Sequence, residues 1–197
     1  MSTASAIFYD RLTLLYPVID LFLKPQKRKL FNTINAYPPG RLLEIGVGNG
    51  SHFKYYTTHE IIGIDTSKNM LARARKFQKS NIQLLHMNGE ALQFPNKTFD
   101  YVILSHVIAV VEDPEKMMEE VDRVLKPGGK IFILNHFTPD NWLKYPDIAF
   151  EKLCGLLHFK SVFPITSIAQ IKKFALLSEL NAGLFSYFKI LIYEKNV

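Results

Sequence analysis

The chain has 197 residues, of which 48% are hydrophobic and 21% charged, with a single cysteine and a net charge of +6. That length suits one domain around one core, and the composition excludes a disordered, collagen-like or low-complexity chain. Cys154 alone can make neither an internal disulfide nor a thiolate metal cluster, so a cytoplasmic setting is expected.

Residues 3–34 carry Ile7, Phe8, Leu12, Leu15, Ile19, Phe22 and Leu23 at intervals of three or four, which predicts one or two helices. Asp10, Arg11 and Asp20 interrupt the apolar residues, so the segment reads neither as a signal peptide nor as a membrane span. Its end is basic. Residues 1–40 hold five basic and two acidic residues, a net of +3 (5 minus 2), and Lys24, Lys27, Arg28 and Lys29 follow apolar Leu21, Phe22 and Leu23. Such a segment suits either a solvated helix end or peripheral contact with an anionic lipid surface.

Pro38, Pro39 and Gly40 then break the chain, and Arg41 to Ile45 read as a first buried strand that runs into a glycine loop. Residues 51–57 fit a helix start, Ile61 to Ile64 a second strand, and 67–79 a helix with Met70, Leu71 and Ala74 on one face. Further strands are expected at Ile82 to Leu85, Tyr101 to Ser105 and Lys130 to Asn135, with a helix over Asp113 to Leu125. Alternation of this kind implies a parallel sheet covered on both faces, with ligands at the carboxyl ends of its strands. After a helical stretch at 139–160, Leu176 to Ala182 and Tyr187 to Glu194 read as two strands joined at Gly183, necessarily antiparallel.

The chemistry concentrates at Gly46, Gly48 and Gly50, between a strand and a helix, where missing Cβ atoms let backbone approach a ligand. Asp65 ends the second strand nineteen residues after Gly46, the position from which a carboxylate accepts hydrogen bonds from ribose hydroxyls. Ser51 stands where a dinucleotide fingerprint wants Gly or Ala, and Glu44 would repel a pyrophosphate. Glu44 suits instead an ordered loop facing a cationic amino-acid group.

Glu44 to Gly50, Gly63 to Leu71 and the turn Leu125-Lys126-Pro127-Gly128-Gly129 resemble, in order and spacing, the successive motifs of class I S-adenosylmethionine-dependent methyltransferases. The resemblance implies a Rossmann-like, seven-stranded, mostly parallel sheet with a C-terminal antiparallel hairpin and helices on both faces. It implies S-adenosyl-L-methionine as cofactor, held by Tyr16, Glu44, Gly46, Gly48, Gly50, Asp65, Thr66, Met70, Asn88, Gly89, Glu90, Ser105 and His106. Asn88 stands where the family commonly has an acidic residue near the adenine amine, and its side-chain oxygen can accept from that amine.

Ser105 to Pro114, Asn135-His136-Phe137, Leu157 to Pro164 and the opening Tyr16 to Asp20 are further similar to bacterial phosphatidylethanolamine N-methyltransferases. The expected reaction is methylation of that lipid's amine and its mono- and dimethyl forms, with His106, Tyr16 and His136 as candidate catalytic residues. His106 either assists loss of the amine proton or only shapes the pocket. Tyr9, Tyr16 and Phe137 either pack inward or offer aromatic faces to a methylated ammonium.

The histidines lack metal-ligand spacing, so no metal is expected. The alternatives are a methyltransferase for a soluble small molecule or quinone intermediate, and a non-catalytic cofactor-binding module. Nucleic acid is disfavoured, because aromatics are not interleaved with an Arg-rich strand. The organisation expected is one domain over 1–197, with 1–36 a helical lid or membrane-contacting segment, peripheral on the inner face of the membrane.

Overall fold

The computed structural model describes residues 16–136, 165–182 and 188–196. The expectations placed on Tyr9, Phe137, Cys154, the 139–160 helical stretch, Leu157 to Pro164 and the Gly183 turn lie outside the described residues.

Helix α1 (Tyr16–Asn35) leads to strand β1 (Arg41–Ile45). Strand β2 (Glu60–Asp65), helix α2 (Lys68–Ala74), strand β3 (Ile82–His86) and strand β4 (Phe99–Ser105) follow. Helix α3 (Pro114–Val124), strand β5 (Leu125–His136), strand β6 (Phe174–Asn181) and strand β7 (Phe188–Lys195) complete the described elements. The seven strands form one sheet in the order β3-β2-β1-β4-β5-β7-β6. The first five are parallel, and β7 enters antiparallel between β5 and β6. This is the Rossmann-like sheet with a closing antiparallel pair that the sequence implied.

Alternation along the strands supplies two cores. Leu43, Ile45, Val102, Leu104, Ile131 and Ile133 face one side, where Met117, Met118, Val121 and Val124 of α3 cover them. Leu42, Ile103, Phe132 and Ile190 face the other, where α1 lays Leu30, Phe31 and Ile34, and α2 lays Leu71 and Ala74. Helices thus lie on both faces.

The helix ends follow their sequence signals. Asp113 accepts from Lys116 N at 3.0 Å and Pro114 opens α3, while Ser67 accepts from Met70 N at 3.2 Å at the start of α2. Most strand and helix ends shift by one or two residues from expectation, and three segments differ by more. The helix expected over 67–79 ends at Ala74 and tightens into a 3-10 turn, Arg75–Phe77, and only a 3-10 turn, Phe53–Tyr55, forms within 51–57. Strand β5 begins five residues earlier than the expected Lys130, at Leu125, because Leu125 pairs with Phe99 while Lys130 pairs with Tyr101. The four residues 126–129 are thereby extruded opposite Asp100, with Gly128 at φ 71° making the bend.

Candidate functional site

The parallel strands β1, β2 and β4 end at Ile45, Asp65 and Ser105, so the loops after them share one edge of the sheet. In a doubly wound sheet this edge is where a ligand crevice opens.

The loop after β1 is held in a conformation that glycine permits. Gly46 and Gly50 have φ of 78° and 70°. A Cβ on Gly46 would lie 2.8 Å from Val107 Cγ2, and one on Gly50 would lie 2.7 Å from Phe53 Cε2 and 2.8 Å from Ala74 Cα. The loop is therefore pressed between the segment after β4 and helix α2, with no room for side chains. Gly46 N and Val47 N both donate to Ile64 O, at 2.8 and 3.1 Å, which fastens the loop's start to β2.

Asp65 sits against this loop. Its Oδ2 accepts from Gly48 N at 2.8 Å and its Oδ1 from Ser67 N at 2.8 Å. The carboxylate keeps acceptor capacity for a ligand hydroxyl while staying fixed in register with the glycines. Burial pushes the Asp65 carboxyl above its usual value, partly opposed by the N–H groups of Ser67, Gly48 and Thr66, and aided by the charge of Glu44.

The remaining expected residues are distributed around this pair. Thr66 follows Asp65 and its carbonyl accepts from His86 Nε2 at 2.9 Å, and Met70 is buried in α2. Asn88 Oδ1 accepts from Glu90 N at 3.0 Å. Gly89 is packed so closely that a Cβ would meet Ile45 Cγ2 at 2.7 Å. Glu90 has an occupation that the sequence did not suggest: its Oε1 accepts from Glu112 N at 3.0 Å and Asp113 N at 3.2 Å, which ties the segment after β3 to the start of α3.

Glu44 also differs from expectation. It is 1% exposed, and its carboxylate meets His52 Nε2 and the Tyr56 hydroxyl inside the protein. Its Oε1 has no hydrogen bond among the described residues. His52 and Tyr56 were not among the expected site residues; their i, i+4 spacing opposite a carboxylate in a buried strand was the available signal.

His106, directly after β4, has φ of 57°, a left-handed conformation uncommon outside glycine. Its N–H donates to Leu134 O at 2.7 Å, and its ring packs edge-on against Phe188 with centroids 5.8 Å apart. The Oγ of Ser105 is buried without a hydrogen-bond partner among the described residues, which leaves a donor beside the crevice for a bound molecule. Tyr16 lies in α1 and His136 closes β5; where their side chains point lies outside the described residues. Among the described residues no three His, Cys, Asp or Glu converge as a metal site.

Comparison with known proteins agrees with this geometry. Residues 43–133 match the family model described as methyltransferase domain. The phosphatidylethanolamine N-methyltransferase of Cereibacter sphaeroides is 40% identical over 119 residues, which cover 57% of this chain and 57% of that protein. A demethylmenaquinone methyltransferase of Shouchella clausii is 35% identical over 118 residues, 58% of this chain and 47% of that protein. The chain thus spans about half the length of these curated relatives. Among solved structures, a Thermotoga maritima S-adenosylmethionine-dependent methyltransferase, described as a possible histamine N-methyltransferase, superposes with a TM-score of 0.74. It is 20% identical and the match covers 96% of this chain and 99% of that one, a likeness of fold. Residues 43–133 thus match a methyltransferase domain, set in a sheet of Rossmann-like fold.

Proposed function

We propose that the protein methylates the amine of phosphatidylethanolamine and its mono- and dimethyl forms. The observation that carries this reading is the 40% identity to a phosphatidylethanolamine N-methyltransferase over 119 residues. The exposed basic residues of α1, Lys24, Arg28 and Lys29, support it, since they suit peripheral contact with an anionic lipid surface.

The site's chemistry fits the donor. Gly46 to Gly50 leave backbone close to a ligand, Asp65 presents two oxygens to a ribose diol, and Ser105 keeps a buried hydroxyl unpartnered. In this reading Thr66, Met70, Asn88, Gly89 and Glu90 line the adenosine side, and Tyr16 closes over it. S-adenosylmethionine, when bound, supplies an electrophilic methyl group on a sulfonium.

The acceptor amine must bring a lone pair to that methyl carbon, so its ammonium proton has to leave first. In this reading His106 takes or shares that proton; its backbone is fastened to Leu134 and its ring is braced by Phe188. His136 on the neighbouring strand is the second candidate. The remainder of the rate comes from holding nucleophile and methyl in line, which fixed backbone on both sides of the crevice favours.

A second reading has its own observation, the 35% identity to a demethylmenaquinone methyltransferase, which points to a quinone ring carbon as acceptor. The test is incubation of the pure protein with methyl-labelled donor and anionic vesicles that contain phosphatidylethanolamine, followed by lipid separation. Labelled mono-, di- and trimethyl lipid is expected. Donor bound with no labelled lipid would sink the amine reading, and label transferred to an added demethylquinol would establish the second.

A further inference from the structure

We propose that Glu44, His52 and Tyr56 form a buried staple across the glycine loop, covered by Phe31 of α1, and that His52 and Tyr56 are positioning residues for the methyl donor. The proposal rests on residues 46–50 being the donor loop.

The three residues bracket that loop. Glu44 stands two residues before Gly46, while His52 and Tyr56 stand two and six after Gly50. His52 Nε2 lies 2.8 Å from Glu44 Oε1 and 3.0 Å from Oε2, and the Tyr56 hydroxyl donates to Oε2 at 2.9 Å. Exposures of 1%, 4% and 2% for Glu44, His52 and Tyr56 put the whole cluster out of water. A buried carboxylate oxygen needs a donor, and among the described residues His52 and Tyr56 supply hydrogen bonds to Oε2. Among the same residues Oε1 has a close contact with His52 but no hydrogen bond. Burial first, then the charge of Glu44 and the bond to it, push the Tyr56 hydroxyl well above its ordinary range, so it stays a donor. His52 Nδ1 is buried without a partner among the described residues, and a carboxylate oxygen only accepts, so the bond to Glu44 requires a hydrogen on Nε2.

What the staple does follows from the loop it closes. A run with glycines at three alternate positions has little conformational preference of its own, and left open it samples many shapes. Two bonds that join its flanks restrict that set, as closing any short loop does. Gly48 N must reach Asp65 and Gly46 N must reach Ile64, so fixing the flanks fixes the backbone that a donor meets. Phe31 completes the device: its ring stacks on His52 at 4.9 Å and 8°, and meets Tyr56 edge-on at 4.7 Å. The packing of α1 is thereby felt at the loop. Because Glu44 is buried, its effect on the donor runs through the backbone.

The test uses the whole chain and compares His52→Leu, His52→Gln and Tyr56→Phe with wild type, by calorimetric donor affinity, donor KM, kcat at saturating donor, and Tm. Leucine fills the site without donating, whereas the glutamine amide can replace Nε2–H toward Glu44. His52→Leu and Tyr56→Phe should each weaken donor binding and raise donor KM about tenfold, as loss of one bond to a charged group would, with kcat changed less than about twofold. His52→Gln should restore affinity to within about threefold of wild type. Folded variants that bind like wild type, or Leu and Gln variants that fall alike, would overturn the staple. Should His52→Leu fail to fold, Tyr56→Phe, which removes one oxygen atom, decides alone. Wild type that binds no donor would instead overturn the donor-loop reading on which the staple depends.

Discussion

Asp65 answers two opposed demands, and its charge carries both. The folded state raises its pKa, first through burial, so ionising it costs stability: its contribution falls as pH rises from the unfolded value to the raised folded value, and is level above that. In the proposed function donor binding runs the other way, because ribose hydroxyls would need the carboxylate as acceptor. Donor affinity should therefore climb with pH through the raised pKa and level off above it, a slope that Asp65→Asn should abolish in a calorimetric series. At neutral pH Asp65→Ala should weaken donor binding by roughly a hundredfold or more, for the loss of two hydrogen bonds to a charged group; unchanged affinity would remove Asp65 from the ribose.

At the scale of elements, the approach of the glycine loop to α2 is set by the absence of one methyl group. In Gly50→Ala the new Cβ would take a left-handed φ and lie 2.8 Å from Ala74 Cα. Backbone strain and overpacking together should cost about 3 kcal/mol, a fall in Tm of roughly 6–12 °C by calorimetry or circular dichroism; a shift under 2 °C, roughly the scale of a surface change, would mean that loop and helix are not wedged. The strands and this loop were legible in the sequence because aliphatic runs, glycine spacing and Asp65 are local patterns. The early end of α2 was not, and the residues after it are engaged elsewhere: Gln78 Nε2 donates to Ile82 O at 2.7 Å and Lys79 Nζ reaches Tyr56 O, 23 residues away, at 3.1 Å. Nor was the extrusion of 126–129, which only the pairing of Leu125 with Phe99 defines. The staple escaped for the same reason, because His52 and Tyr56 acquire their role by folding back onto Glu44 across the loop.

For the molecule as a whole, the sheet's polarity brings charge and chemistry to one edge. Asn181 pairs with Lys189, which pairs in turn with Asn135 near the carboxyl end of β5, so the end of β6 shares the edge of the glycine loop and His106. Lys29 Nζ donates to Asn181 O at 2.6 Å, which ties the basic half of α1 to that same edge. Lys24, Arg28 and Lys29 with Asn32, Thr33 and Tyr55 line an open hollow there. No described helix is long and apolar enough to cross a membrane. In the proposed function this basic edge faces the bilayer, and each cation near an anionic surface contributes about 1 kcal/mol. Lys24→Gln combined with Arg28→Gln should then weaken binding to anionic vesicles by roughly thirtyfold at low salt, with the difference shrinking as salt is added. Donor affinity measured without vesicles should stay at the wild-type value, because both side chains are exposed and outside the donor loop. Flotation of wild type and double variant at two salt concentrations reads the effect, and equal flotation at low salt would detach the basic helix from any lipid role.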